Sequence, residues 1–391
     1  MRARVGDVTD TVWPMNAWVR DAAADIGRRA ERELEALVAV SSPSGDAHAA
    51  DECVAVCAAL LPAEARVERV ACSSRDHAQD LVARVSGTGR RRILLLGHLD
   101  TVVAHGKHRL LERDGERLIG SGSVDMKGGV VLALGVLRAL ATRPADFAEA
   151  ALLLVVDEEW RTAPFGHVSR FDGWDACLCF EAGELTPEGD EGVVVKRKAA
   201  GTLRIAARGR AAHSGAAPDK GINALLALAG AAQVVASCHD PAGPHRRSAV
   251  PTVMRAGDAF NVVPASGELL CDIRADADQA IHDAVAALPA DIGGATLHPE
   301  LLRLWPGMDA LAVTAPLLLG ASATLGRQVR GVSRGGASDA SHFAATIPIT
   351  VDGLGPRGGE AHNPGEFVLA ESLASRAEVA LAVADAALAA G

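Results

Sequence analysis

Two imidazoles and a set of carboxylates stand at places where apolar stretches of the chain give out, and these residue types together hold divalent cations. His98 and Asp100 follow the apolar run Ile93–Gly97, Asp157, Glu158 and Glu159 follow Leu152–Val156, and Glu181 follows Ala176–Phe180. Asp125 lies in the glycine-rich Gly120–Gly129, and His362 lies near the end in Gly359-Glu360-Ala361-His362-Asn363. No thiolate is needed to complete the set, which suits zinc and related ions. Two ions a few ångströms apart would clamp a water and a carbonyl oxygen together. Each ion would need a histidine and a carboxylate of its own, with one carboxylate shared. On an extended chain His98 and Asp100 point the same way, an arrangement in which a carboxylate fixes the ring of a metal-binding imidazole. Taken alone, a strand end with two solvated polar groups is an equal account. Three apolar strands that each end on an acid or an imidazole outweigh it, because such groups are costly at a sheet edge unless they converge.

The elements that must position these residues follow from the pattern of apolar positions. Short apolar runs bounded by polar residues predict buried strands of a parallel sheet at 80–86, 92–97, 152–156 and 176–180. Ligands of such sheets sit at the C-terminal strand edge. Helical spacing predicts helices over 16–40 and 48–61, the second stopped by Pro62, and an apolar, buried helix over 130–142. After Lys198 the pattern changes. Leu203, Ile205 and Ala207 alternate with polar neighbours, a helix follows over 221–237, strands at 252–256 and 267–274, a helix over 276–288 and a strand at 295–304. The order β-α-β-β-α-β is the ferredoxin-like split motif. The expectation is an α/β catalytic domain with a mostly parallel sheet in two parts, 1–198 and 306–391, interrupted by an inserted α+β domain at 199–305. The second part would hold a helix from about 314, the glycine-rich Gly335–Asp339, a strand at 348–351 and a helix from 370.

The chain has 391 residues, 49% of them apolar, and a net charge of −10. That balance excludes nucleic acid and anionic membranes as partners. The local cluster Lys196-Arg197-Lys198 reads as a solvated strand edge. No apolar run reaches the roughly 18 residues of a membrane span, and no signal peptide is seen. Seven cysteines without a CxxC pair point to a reduced, cytoplasmic chain. Cys177 and Cys179 read as buried structural thiols.

The runs HLDTV, GSGSVDMKGG, VDEEW, FEAG, AAHSGAAPDKGINA, FNVVPASGELLCDIRA, GGASDA and GGEAHNPGE, in this order across nearly the whole chain, resemble the di-zinc metallopeptidase family of acetylornithine deacetylase, succinyl-diaminopimelate desuccinylase, aminoacylase-1 and bacterial glutamate carboxypeptidase. AHSGAAP and NVVPAS bring it nearest to the glutamate carboxypeptidases. The resemblance implies a three-layer, zinc-aminopeptidase-like catalytic domain with an inserted lid and dimerisation domain. It implies two Zn2+ per chain, with Co2+ or Mn2+ able to replace them. His98 and Glu181 would bind one ion, Glu159 and His362 the other, with Asp125 bridging. Asp100 would orient His98, and Glu158 would be the general base. Consecutive glutamates on an extended chain point apart, so only one of the two can serve a given metal. The other is free to take a proton from water.

In the inserted domain the resemblance gives His213 the oxyanion, and Asn261 and Arg274 the substrate carboxylate, for which a guanidinium is suited by its bidentate geometry. Gly335 and Gly336 match a turn that approaches that carboxylate, although a plain turn accounts for them nearly as well. Arg303 is a further candidate contact. One departure stands out. Relatives place glycine within two residues of the paired glutamates, where this chain reads Trp160-Arg161-Thr162-Ala163-Pro164-Phe165-Gly166. The expected activity is hydrolysis of the amide of an N-acyl or peptidyl amino acid with a free carboxylate, by a homodimer paired through the inserted domain. A deacylase of the acetylornithine deacetylase or desuccinylase type is the alternative within the family. A catalytically silent metal-binding module is the alternative outside it, and it would require the loss of Glu158, His213 or a ligand.

Overall fold

The computed structural model describes residues 14–389. Its central sheet has six strands in the order Arg66–Val70, Asp80–Ser86, Glu149–Val155, Arg92–His98, Ala176–Cys179 and Ile349–Val351. The last four are parallel to one another, and the first two are antiparallel additions at one edge. Both faces are covered. Ile93 and Leu95 pack into the larger core with the helices Ala17–Val38, Gly128–Ala141 and Ala370–Ala389, while Leu94 and Leu96 pack into a second core with Phe171, Trp174 and Phe343. Burial on two faces is why these strands read as continuous apolar runs without alternation. The fold is α/β, and the parallel strands deliver His98, the Asp157–Glu159 turn and Glu181 to one edge.

A smaller sheet sets Glu191–Arg197 between Met308–Asp309 and the parallel strand Val329–Arg334. This corrects the reading of Lys196-Arg197-Lys198 as a solvated edge. The strand is internal, and Arg197 points inward to pair with Asp352 at 2.6 Å, 5% exposed. Charge alone does not reveal which residues of a strand face in when the pairing partner lies far along the chain.

Residues 199–305 build a third sheet, in the order Ser248–Ala256, Ser266–Ala275, Ala199–Arg208, Ala295–Trp305 and Asp291–Ile292, all antiparallel. Helices Ala224–Ser237 and Gln279–Ala286 cover one face. Alternation decides the faces. Leu203, Ile205, Ala207, Cys271 and Ile273 go under the helices into a core of their own. Thr202, Asp272 and Arg274 fall on the open face, toward the metal-ligand candidates. The helix Leu311–Leu325, the strand Ile349–Val351 and the helix Ala370–Ala389 complete the α/β part. Among the described residues no helix is long and apolar enough to cross a membrane.

Candidate metal centre and cleft

His98 closes the strand Arg92–His98 and is buried. Its Nδ1 lies 3.0 Å from the carbonyl oxygen of Asp100 and 3.4 Å from that residue's carboxylate. Two acceptors on Nδ1 leave Nε2 to face the cluster. Nε2 is 3.1 Å from Asp125 Oδ1 and 3.8 Å from Glu181 Oε1. On the other side of Asp125, His362 Nε2 lies 3.1 Å from Asp125 Oδ2 and 3.2 Å from Glu159 Oε1. Two triads result, His98–Asp125–Glu181 and Asp125–Glu159–His362, each with three ligand atoms within 4.8 Å of one another. Asp125 belongs to both.

Local chemistry brings these distant segments together. Asp125 stands just before the helix Gly128–Ala141, whose start abuts the chain leading into Glu181. A Cβ on Gly129 would lie 1.8 Å from the carbonyl oxygen of Phe180, so only glycine admits that approach. Glu366 ties the His362 segment to Asp125. Its buried carboxylate accepts from the amides of Gly122, Val124 and Asp125, each at 2.9 Å. Glu366 was not singled out in the sequence, although it closes the GGEAHNPGE run. His362 itself takes a left-handed backbone, φ 65°. The carboxylate of Asp100 does more than face His98. It accepts from the amides of Glu158 and Glu159 at 3.1 and 3.0 Å, so it clamps the turn that carries both glutamates.

The donor set fits divalent cations. Burial, then the negative charge of Asp125, pushes Glu181 up to about 8. Burial disfavours the charged form of His98, yet Asp100, Asp125 and Glu181 hold its pKa well above the ordinary value. Hydrogen bonds to Asp125 and Glu159 raise His362 to about 10. The shifts of Glu181 and the two imidazoles upward, with Asp125 held low, against its burial, by both imidazoles, mark a cluster of negative charge that cations would neutralise. Glu159 Oε1 is buried, and His362 Nε2 at 3.2 Å is the group that faces it. Nitrogen and oxygen donors without thiolate suit zinc and its neighbours.

Beside the triads opens a cleft of about 240 Å³, lined by Glu158, Arg274, Arg303 and Trp305 among others. Glu158 belongs to neither triad. Burial raises its pKa well above the usual carboxylate value. Arg274 Nε meets Asp272 at 3.0 Å and its Nη1 meets the carbonyl oxygen of Gly335 at 3.2 Å. The carbonyl of Gly336 accepts from Arg197 at 2.9 Å. Arg303 reaches the cleft because strand Ala295–Trp305 slips register between Thr202 and Leu203, so that Arg303 stands opposite Thr202. Its Nη1 then meets the carbonyl oxygen of Glu159 at 3.2 Å.

His213 and Asn261 stand elsewhere, exposed, and neither is among the residues that line the cleft. Their two turns are zipped together by Ser214 N–H to the Asn261 carbonyl at 3.0 Å and Val263 N–H to the Ala212 carbonyl at 2.9 Å. His213 Nδ1 accepts from the amides of Gly215 and Ala216, both at 3.1 Å. Its proton therefore resides on Nε2, which faces outward as a donor.

The model of peptidase family M20/M25/M40 matches residues 94–386. Carboxypeptidase G2 of Pseudomonas sp. (strain RS-16) is 29% identical over 255 residues, covering 62% of this chain and 59% of that protein. A succinyl-diaminopimelate desuccinylase of Methylorubrum extorquens is 30% identical over 310 residues, 71% of this chain and 78% of that one. The crystal structure of aminopeptidase PepT from Bacillus cereus shares the fold, with a TM-score of 0.73 at 20% identity, across 92% of this chain and 98% of that one.

Proposed function

This chain belongs to peptidase family M20/M25/M40, and from that premise we propose that it is a di-zinc hydrolase that cleaves the amide between an acyl or peptidyl group and an amino acid with a free carboxylate. The observation that carries the reading is the pair of triads sharing Asp125. His98 and Glu181 would hold one ion and Glu159 and His362 the other, with Asp125 between them. Bound there, the ions supply Lewis acidity to a carbonyl oxygen and to water.

The chain's own residues do the rest. Glu158, in the cleft beside the triads but in neither, takes a proton from the attacking water and returns it to the leaving amine. Its place is kept by the Asp100 clamp on its amide. Arg274, with Gly336 in the adjacent turn and Asn261 from the lid, receives the substrate's carboxylate. His213 offers its Nε2 proton to the developing oxyanion. Because His213 and Asn261 are exposed and neither lines the cleft of their own chain, we assign both to the cleft of a second copy. A two-fold dimer through residues 199–305 would bring them there. Exposed Val250, Val253 and Met254 on the edge strand Ser248–Ala256, with Leu225 and Leu226 on the adjoining helix, support that pairing. Seven free cysteines support a reduced, cytoplasmic setting.

Carboxypeptidase-like substrates lead, because Arg274 and Arg303 share one cleft. Deacylation is the second reading, favoured by the longer match to the desuccinylase. A panel of N-acyl and N-terminally blocked amino acids, assayed for free amine before and after chelation and metal restoration, tests both. Turnover that is lost with the metal and returns with it is the expected result. No release from any member by a zinc-loaded protein would overturn the reading.

A further inference from the structure

The loop that departs from the family pattern carries a residue the site has not yet used. Arg161 is buried, 3% exposed, and its guanidinium is shared between two buried aspartates. Nε and Nη2 meet Asp157 Oδ1 at 3.2 and 3.0 Å, while Nη1 and Nη2 meet the two oxygens of Asp339 at 2.5 and 2.7 Å. The other oxygen of Asp157 takes the Ser74 amide at 2.9 Å. Asp157 immediately precedes Glu158. Asp339 closes the segment Gly335–Asp339, whose Gly335 carbonyl accepts from Arg274 and whose Ala337 lines the cleft. The rings of Phe165 and Trp305 lie 4.7 and 5.7 Å from the guanidinium carbon, and Trp305 is itself part of the cleft wall.

We propose that Arg161 is a positioning residue for the substrate side of the cleft: it ties the end of the glutamate-bearing strand to residues 335–339 and so fixes Arg274 relative to the metal centre. The fork of an arginine suits this task, because a single planar group meets two carboxylates at once, which a lysine ammonium does with far less geometric control. Stability alone is a weak account. A buried ion triad costs about as much in desolvation as it returns, and its better-attested use is to fix register. The glutamates have a separate hold, the carboxylate of Asp100 on both their amides. Loosening Arg161 therefore releases the Asp339 end of residues 335–339, which Arg197 still holds at the Gly336 carbonyl, and leaves Glu158 where it is. The loss falls on KM and spares kcat.

The substrate side of this inference rests on the hydrolase reading, so its test carries one measurement that needs no substrate. The triple variant R161M/D157N/D339N removes all three charges together and leaves no buried charge unpaired. It should keep the wild-type metal content and melting temperature, with kcat within about threefold and KM raised about tenfold. Amide hydrogen exchange should quicken at 335–339 by about tenfold and stay unchanged at 158–159. R161K, which retains the charge without the fork, should move both quantities in the same direction, and it serves if the triple variant does not fold. A folded variant with wild-type KM and wild-type exchange at 335–339, or a loss confined to kcat or to melting temperature, overturns the proposal. If the wild-type protein releases no amine from any N-acyl amino acid, the hydrolase reading fails, and the exchange data still decide what Arg161 does.

Discussion

His98 and His213 are both held in one orientation, by opposite means. His98 is buried at a strand end; Asp100, two residues on, sets its Nδ1, but its Nε2 meets groups far along the chain, Asp125 and Glu181. His213 is fixed by two amides within three residues of itself, and its free nitrogen faces solvent. A region assembled from distant segments is complete only in the folded chain, and here it is complete. A region assembled locally can be fully shaped and still lack what it acts on. The candidate metal centre is thus built within one chain, whereas on the dimer proposed above the His213 turn would be a half-site.

The largest effects should come from the complete region. Asp125→Asn leaves a neutral amide where both triads need a shared anion. Metal content should fall from about two ions per chain to one or none, with no measurable turnover. Elemental analysis decides this, and a variant that still binds two ions would remove the shared role of Asp125. Glu158→Gln should behave differently, because Glu158 lies outside both triads. Both metals should stay while turnover drops by about 10²–10⁴-fold. Loss of metal from Glu158→Gln, with retention by Glu159→Gln, would mean that the two glutamates exchange roles.

The half-site calls for a test with two kinds of chain. His213→Ala should lose on the order of 10²-fold in kcat, as removal of an oxyanion donor does. Glu158→Gln and His213→Ala chains, unfolded together in equal amounts and re-assembled, should then recover activity. In a mixed dimer the His213→Ala chain keeps Glu158 and receives the intact His213 of its partner. Random pairing makes about half the dimers mixed, each with one whole site, so recovery approaches roughly a quarter of wild type. Mixed dimers confirmed by mass, yet no more active than the parents, would place His213 in its own chain's cleft.

The same contrast explains what the sequence revealed. The α/β class, the ferredoxin-like order of 199–305 and the candidate donors were legible, because apolar strand ends and motif runs are local signals. Arg197 was misread because its inward side depends on the strand Val329–Arg334 and on Asp352. Arg161 lies in the run that departs from the family pattern, but its tie across the cleft is not legible there, since Asp339 is 178 residues away. Glu366 closes the GGEAHNPGE run, but its role consists of accepting from backbone amides, which leave no trace in residue types. Nor did the spacing foretell that Asp100 would serve the glutamate amides as well as His98.

The smallest expected effect lies in a third imidazole, where the strand Ala295–Trp305 meets the α/β part. His342 stacks on Phe165 at 4.8 Å, stands 6.0 Å from Trp305, and its buried Nε2 has no hydrogen-bond partner. Burial lowers its pKa from 6.5 to about 4, with Asp339 opposing the shift and Arg161 adding to it. The unfolded chain therefore binds a proton that the folded chain refuses. Stability on this account is fully present above pH 6.5 and is lost as the pH falls toward 4, by on the order of 1 kcal/mol per pH unit. His342→Phe keeps a ring against Phe165 and removes the titration. Other ionisable groups also make stability depend on pH, so the informative quantity is the difference between variant and wild type, in which their contributions cancel. Urea midpoints measured from pH 7 to pH 4.5 should converge toward neutrality and separate in favour of the variant as the pH falls. Parallel curves across that window would mean that His342 takes up its proton in the folded chain, and that the aromatic contact with the lid strand is more open to water than its 13% side-chain exposure indicates.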